Sequence, residues 1–195
     1  MTIAVPSPRP AQRASPLGRS GGTVWFTGLP SAGKSTVAAA VADRLRRTGR
    51  AVEVLDGDVV RRELCSDLGF SRSDRERNIA RIGYLAHMLA RHGVVVLAAV
   101  IAPYESSRRD VRLRHERDGV AYLEAYVATP LSVCRSRDVK GLYAKQQAGK
   151  LHGLTGVDDV YEPPVTPELV LHTQRSTVDQ SAAVVLDALA TRGLS

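Results

Sequence analysis

Along this 195-residue chain, short apolar runs alternate with longer segments whose apolar positions recur every three or four residues. The runs are Thr23–Thr27, Ala51–Leu55, Val94–Ile101, Val120–Ala128 and Glu168–His172, and each predicts a strand. Val94–Ile101 is apolar throughout, the pattern of a strand buried on both faces. The periodic segments predict helices from Val37 to about Thr48, over Arg75–Arg91, from Tyr104 to about Asp118, from Pro130 to about Arg137 and over Val178–Ala190. A short helical stretch ends at Cys65, and Leu68–Phe70 reads as a turn or loop. In the helix over Arg75–Arg91, Ile79, Ile82, Leu85, Ala86 and Leu89 fall on one face. Ser73 or Asp74 is placed to cap its start, and Gly93 stops it.

Strands that alternate with helices predict an α/β fold: a mostly parallel sheet with helices on both faces. Ligands in such folds gather at the carboxyl ends of the strands. Two segments stand outside the alternation. Residues 1–21, rich in Pro, Ser, Arg and Gly, are expected to form a disordered tail. A transit peptide is the alternative, which the prolines oppose because it needs an amphipathic helix. Residues 22–195 are expected to form one domain. Within it, Val139–Tyr161 is rich in Gly, Lys and Gln and weakly periodic, as expected of a functional lid.

The loop between the first strand and first helix carries the clearest chemistry. Gly28, four residues, then Gly33, Lys34 and Ser35 match the phosphate-binding loop pattern in its required strand–loop–helix context. Glycines let backbone N–H groups ring a phosphate, and the helix start adds its positive dipole end. Lys34 is expected to reach the β- and γ-phosphates, and the Ser35 hydroxyl to hold Mg²⁺. The pattern implies a bound nucleoside triphosphate and leaves open what happens to its γ-phosphate.

Three absences narrow the class. The chain's single asparagine is Asn78, so it has no Asn-Lys-x-Asp guanine-reading motif. The strand Val94–Ile101 ends without the acid that motor and sensor ATPases carry there. No arginine-rich or aromatic cluster forms a platform for single-stranded nucleic acid. Acids follow a different strand, at Asp56 and Asp58 with Arg61 beyond, which suits a small-molecule kinase whose carboxylate orients an acceptor hydroxyl. The competing reading of Asp56-Gly57-Asp58 is a turn with a helix cap.

A formal charge of +7, spread along the chain, fits a protein that handles two anionic nucleotides and does not require nucleic acid. Cys65 and Cys134 form no CxxC pattern and read as free thiols in a reducing compartment. With no apolar run of membrane-spanning length, the expectation is a cytoplasmic protein with no membrane partner.

From about Gly22 to Leu189 the chain resembles the adenylylsulfate kinase family. The resemblance rests on Gly28-Leu-Pro-Ser-Ala-Gly-Lys-Ser-Thr36, on Leu55-Asp-Gly-Asp58 with Arg61, and on Leu68-Gly-Phe-Ser71 with Asp74-Arg75 and Asn78-Ile79. It extends through Ile101-Ala-Pro-Tyr104, Arg137-Asp-Val-Lys-Gly-Leu-Tyr143, Gly153-Leu-Thr-Gly-Val157 and Tyr161-Glu-Pro163. It implies ATP-dependent phosphorylation of the 3′-hydroxyl of adenylyl sulfate in sulfate assimilation, with Mg²⁺. It also implies a homodimer, with a sulfate adenylyltransferase as a further possible partner. Gly28, Ser31, Ala32, Gly33, Lys34, Ser35 and Thr36 would hold the ATP phosphates, and Arg137 would pack on the ATP adenine. Asp58 would face the acceptor hydroxyl as base or Mg²⁺-linked orienter, and Lys140 would neutralise charge near the transferred phosphoryl or bind the acceptor. Arg61, Arg75 and Asn78 would clamp the phosphosulfate and sugar, and Phe70 would stack on the acceptor adenine. Ile101, Ala102, Gly153 and Leu154 complete the expected acceptor site. The alternatives are a kinase of another small hydroxyl compound, or a non-catalytic nucleotide-sensing partner of the adenylyltransferase.

Three departures from the family pattern stand out. Leu154 replaces the usual Phe that sandwiches the acceptor adenine against the residue matching Phe70. Ala102 stands where many members have Ser, which excludes a phosphoserine and leaves direct transfer from ATP. Glu105 follows Tyr104 where Arg is common, with Arg108 as the candidate replacement for that basic contact.

Overall fold

A computed structural model describes residues 20–195. The expectation of a tail over 1–21 lies almost wholly outside the described residues. Five strands, β1 (Gly22–Thr27), β2 (Val52–Asp56), β3 (Val95–Ala99), β4 (Ala121–Val127) and β5 (Leu169–Leu171), form one sheet in the order β2-β3-β1-β4-β5. Every pairing is parallel. Seven helices are present among the described residues: α1 (Lys34–Arg47), α2 (Gly57–Leu64), α3 (Arg72–Ala90), α4 (Glu105–Arg117), α5 (Leu131–Arg137), α6 (Leu142–Gln147) and α7 (Val178–Ala190).

The strands alternate their side chains between two cores, as a pleat buried on both faces requires. Val24 and Phe26 of β1, with Val95, Leu97 and Ala99 of β3, pack under α1 and α7. Trp25, Val96 and Ala98 point the other way, against Ile79, Ile82, Ala86 and Val111 of α3 and α4. At Gly83 the two helices approach so closely that a Cβ would stand 2.4 Å from Val111 Cγ2, so any other residue here would push α4 off α3.

Element ends differ from the sequence reading where side chains decide them. β3 stops at Ala99, and the next residues leave the sheet through Ala102 at φ 45°. The start of α3 lies earlier than expected, because Ser71 rather than Ser73 or Asp74 is the cap and accepts from Asp74 N at 3.2 Å. The segment expected to be irregular throughout contains α6. Its first turn is held by Asp138, whose carboxylate accepts from the backbone N–H groups of Tyr143 (3.0 Å) and Ala144 (2.9 Å). A side-chain cap of this kind leaves no trace in hydrophobic periodicity, which is why the helix was not legible.

Candidate active site

The carboxyl ends of β1, β2 and β3 open into one cleft with a volume of about 570 Å³, in the range of ligand-binding pockets. Ser31 to Thr36, Asp58, Arg61, Phe70, Arg75, Asn78, Ile101, Ala102, Arg137, Lys140, Gly153 and Leu154 all line it. Of the residues expected to bind ATP or the acceptor, Gly28 is the one that does not line it. Gly28 has φ 152°, and a Cβ there would meet Val127 O at 2.7 Å, so the chain can turn out of β1 only without a side chain.

The loop's position is fixed from below and from one side. Lys34 Nζ donates to Gly28 O (2.9 Å) and Leu29 O (2.8 Å), which folds the side chain back along the loop. The Ala32 carbonyl accepts from Thr129 Oγ1 (2.9 Å), Thr173 Oγ1 (2.8 Å) and Arg137 Nη1 (3.3 Å). Arg137 also donates to Thr173 Oγ1 and O, so its guanidinium lies against the β5–α7 connection, where Ser176 and Val178 complete that end of the cleft. Nothing in the sequence pattern links Thr129 or Thr173 to the phosphate loop.

The acids lie opposite. Asp56 ends β2 and caps α2, accepting from Asp58 N at 3.0 Å. Its other oxygen accepts from Ser35 Oγ at 2.5 Å. The cap reading of Asp56-Gly57-Asp58 is therefore realised, and Asp58, at the start of the capped helix, lines the cleft and pairs with Lys140. The carboxylate beside Ser35 is that of Asp56, a residue the sequence reading did not assign to the metal. Serine and aspartate oxygens are hard donors that fit Mg²⁺. Among the described residues no cluster of three His, Cys, Asp or Glu holds a metal by itself, and Mg²⁺ in kinase sites is held largely by phosphates.

Burial pushes the Lys34 ammonium down to about 7 from its ordinary 10.5. Between these values the unfolded chain binds more protons than the folded one, so this group's contribution to stability improves as pH rises from about 7 to 10.5. A triphosphate held beside Lys34 would restore the charged form. Nucleotide binding at about pH 8 is thus expected to take up close to one proton, and at about pH 6 close to none. Calorimetry in buffers of different ionisation enthalpy measures this, and uptake independent of pH would sink the linkage.

At the far end, Phe70 is 68% exposed, with the Arg61 guanidinium 4.4 Å from its ring centroid. Asn78 is buried, and its Oδ1 has no hydrogen-bond partner among the described residues. Arg75 is 9% exposed and clasps the segment expected to be a lid. It donates to Gly153 O (2.7 Å) and Thr155 Oγ1 (3.1 Å) and pairs with Asp159 (3.2 Å). Leu154 is 5% exposed, packed in the α1-side core with one edge on the cleft. Arg108 does not replace the basic contact missing at Glu105. Its guanidinium is buried, donates to Ala102 O (2.8 Å) and Glu162 O (2.7 Å) and is ion-paired with Glu124 (2.8 Å), and so fastens the end of the lid segment to the β3 exit.

A parallel sheet, a phosphate loop fed by β1 and acids after β2, which lies beyond β3 from it, define a P-loop kinase of the α/β class. Comparisons with known proteins agree and go further. The sequence profile of the adenylylsulphate kinase family matches residues 20–172, and the chain belongs to that family. Adenylyl-sulfate kinases from a Synechococcus strain and from Myxococcus xanthus are each 50% identical to it, covering 91% of this chain and 99% and 96% of theirs. The structure of an APS kinase from Mycobacterium tuberculosis in complex with AMPPNP and APS superposes with a TM-score of 0.85 at 43% identity, covering 88% of this chain and 99% of that one. A gluconokinase from Sinorhizobium meliloti, 19% identical with a TM-score of 0.55, shares the fold alone. The chain is an enzyme, and its reaction is ATP-dependent phosphorylation of adenylyl sulfate.

Proposed function

We propose that the two nucleotides occupy opposite ends of this one cleft, with phosphoryl transfer between them at Asp58 and Lys140. The observation that carries the reading is the convergence of Ser35, Asp56, Asp58 and Lys140 in the same cleft that Arg137, Thr173, Arg61 and Phe70 line. ATP lies with its phosphates over residues 28–36 and its adenine against Arg137. Lys34 neutralises charge that grows on the β–γ bridge as the bond to ADP breaks. Asp58 aims the 3′-hydroxyl of adenylyl sulfate at the γ-phosphorus and takes its proton as the new O–P bond forms. Ser35 and Asp56, with Asp58, would hold Mg²⁺, which when bound supplies charge neutralisation on the phosphate oxygens.

Phe70 stacks on the acceptor adenine, Arg61 faces the phosphosulfate, and the unpartnered end of the Asn78 carboxamide meets the sugar. Arg75 serves the acceptor largely through the lid it clasps, residues 139–161. With Leu154 in place of the family's Phe, Phe70 supplies the single aromatic face. The Phe70→Ala variant is then expected to raise the acceptor KM about five- to a hundred-fold and to leave the ATP KM near its original value. Leu154→Phe should lower the acceptor KM if the ring fits. Since Leu154 is nearly buried, overpacking that lowers kcat is the competing outcome. Steady-state kinetics with each substrate varied in turn decides: an ATP KM that moved with the acceptor KM would put the wrong nucleotide in this slot.

The enzyme is further proposed to act as a cytoplasmic homodimer supplied by a sulfate adenylyltransferase. Its family membership supports this.

A further inference from the structure

The root of the lid is fastened to the phosphate loop. After α5 the chain passes through Asp138, at φ 26°, reaches Lys140 and enters α6. Arg137, before this corner, donates to Ala32 O at 3.3 Å. Tyr143, after it, is 5% exposed, has its ring in the α1-side core and donates its hydroxyl to Pro30 O at 3.0 Å. Asp138 closes the corner on itself through its bonds to Tyr143 N and Ala144 N. Lys140 therefore projects from a short bridge whose two piers both stand on the loop that cradles the phosphates.

We propose that Tyr143 is a positioning residue for the transfer step, its hydroxyl setting where the Lys140 ammonium stands relative to Asp58 and the moving phosphoryl group. The physical reason lies in the lysine itself. An ammonium on a flexible four-carbon stem has little directional preference, so its placement is inherited from the backbone that carries it. A misplacement of about 1 Å at a transfer site can cost on the order of a hundredfold in rate. A buried tyrosine hydroxyl needs a partner, and here that partner belongs to the loop whose geometry the lysine must match. Tyr143 touches no reacting atom and acts through Lys140, so the inference rests on the assignment of Lys140 to the transfer site.

A double-mutant cycle with Tyr143→Phe and Lys140→Ala tests it, with kcat and both KM values measured for all four proteins. The Phe variant keeps the ring in the core and removes the hydroxyl's bond to Pro30 O together with its contact to the Cys134 thiol. Y143F is expected to lower kcat about three- to tenfold in the wild-type background and to change it less than about twofold when Lys140 is already Ala. The acceptor KM should hold, since the Arg61–Phe70 end is untouched. A purely structural tyrosine would give the same fold-loss in both backgrounds. That result, or an unchanged kcat in Y143F, overturns the proposal. K140A alone reports on the underlying assignment: wild-type turnover there removes Lys140 from the transfer site, separately from anything Tyr143 does.

Discussion

Replacing Asp58 by Asn is expected to lower kcat by about 10²- to 10⁴-fold while leaving the ATP KM close to wild type. The amide keeps the shape of the side chain and loses the charge and the capacity to take a proton. Asp58 does not touch the phosphate loop: its carboxylate pairs with Lys140 and its N–H donates to Asp56. ATP binding should therefore survive. Folding should survive too, because Asp58 is exposed in the first turn of α2, where a carboxylate contributes only about 0.3–1 kcal/mol through the helix dipole. Melting temperature, ATP affinity and single-turnover rate measured on one preparation separate these effects. A near-normal kcat would remove Asp58 from the chemistry.

Lys34→Ala fails by a different route. The variant is expected to lose about 10²- to 10³-fold in kcat, with a raised ATP KM in addition. Lys34 is only 8% exposed and its ammonium donates to the carbonyls of Gly28 and Leu29. Acceptor binding should change little, because the Arg61–Phe70 end of the cleft does not depend on Lys34. The same variant should also abolish the proton uptake on nucleotide binding at about pH 8, since Lys34 is the group that regains its charge. An ATP affinity equal to wild type in Lys34→Ala would contradict the placement of the triphosphate.

Much of this was legible in the chain because the signals were local. β3 is read directly from an apolar run, α7 from its periodicity, and the phosphate loop from the spacing of Gly28, Gly33 and Lys34. What escaped depends on residues far apart in sequence. Ser35 meets Asp56 across 21 positions, Arg137 meets Thr173 across 36, and Arg75 meets Gly153 across 78. Side-chain bonds of this range have no period and no required spacing. Asp56 was visible as an acid at a strand end, but choosing between it and Asp58 as the partner of Ser35 needed the turn that α2 imposes. Arg108 misled for the same reason: its place near Glu105 suggested a replacement basic contact, and only the fold shows it buried against Glu124.

The direction of transfer through the cleft is tested most directly by comparing adenylyl sulfate with its 3′-deoxy analogue as acceptor, following ADP release at saturating ATP and Mg²⁺. The analogue keeps the adenine and phosphosulfate that Phe70 and Arg61 are assigned to hold, and lacks the one oxygen that Asp58 is assigned to aim. Rapid ADP release with adenylyl sulfate is predicted, with competitive inhibition and no acceptor-dependent release with the analogue. Turnover of the 3′-deoxy compound at a comparable rate would show that the phosphoryl group goes to a different atom, and that the account of Asp58 is wrong.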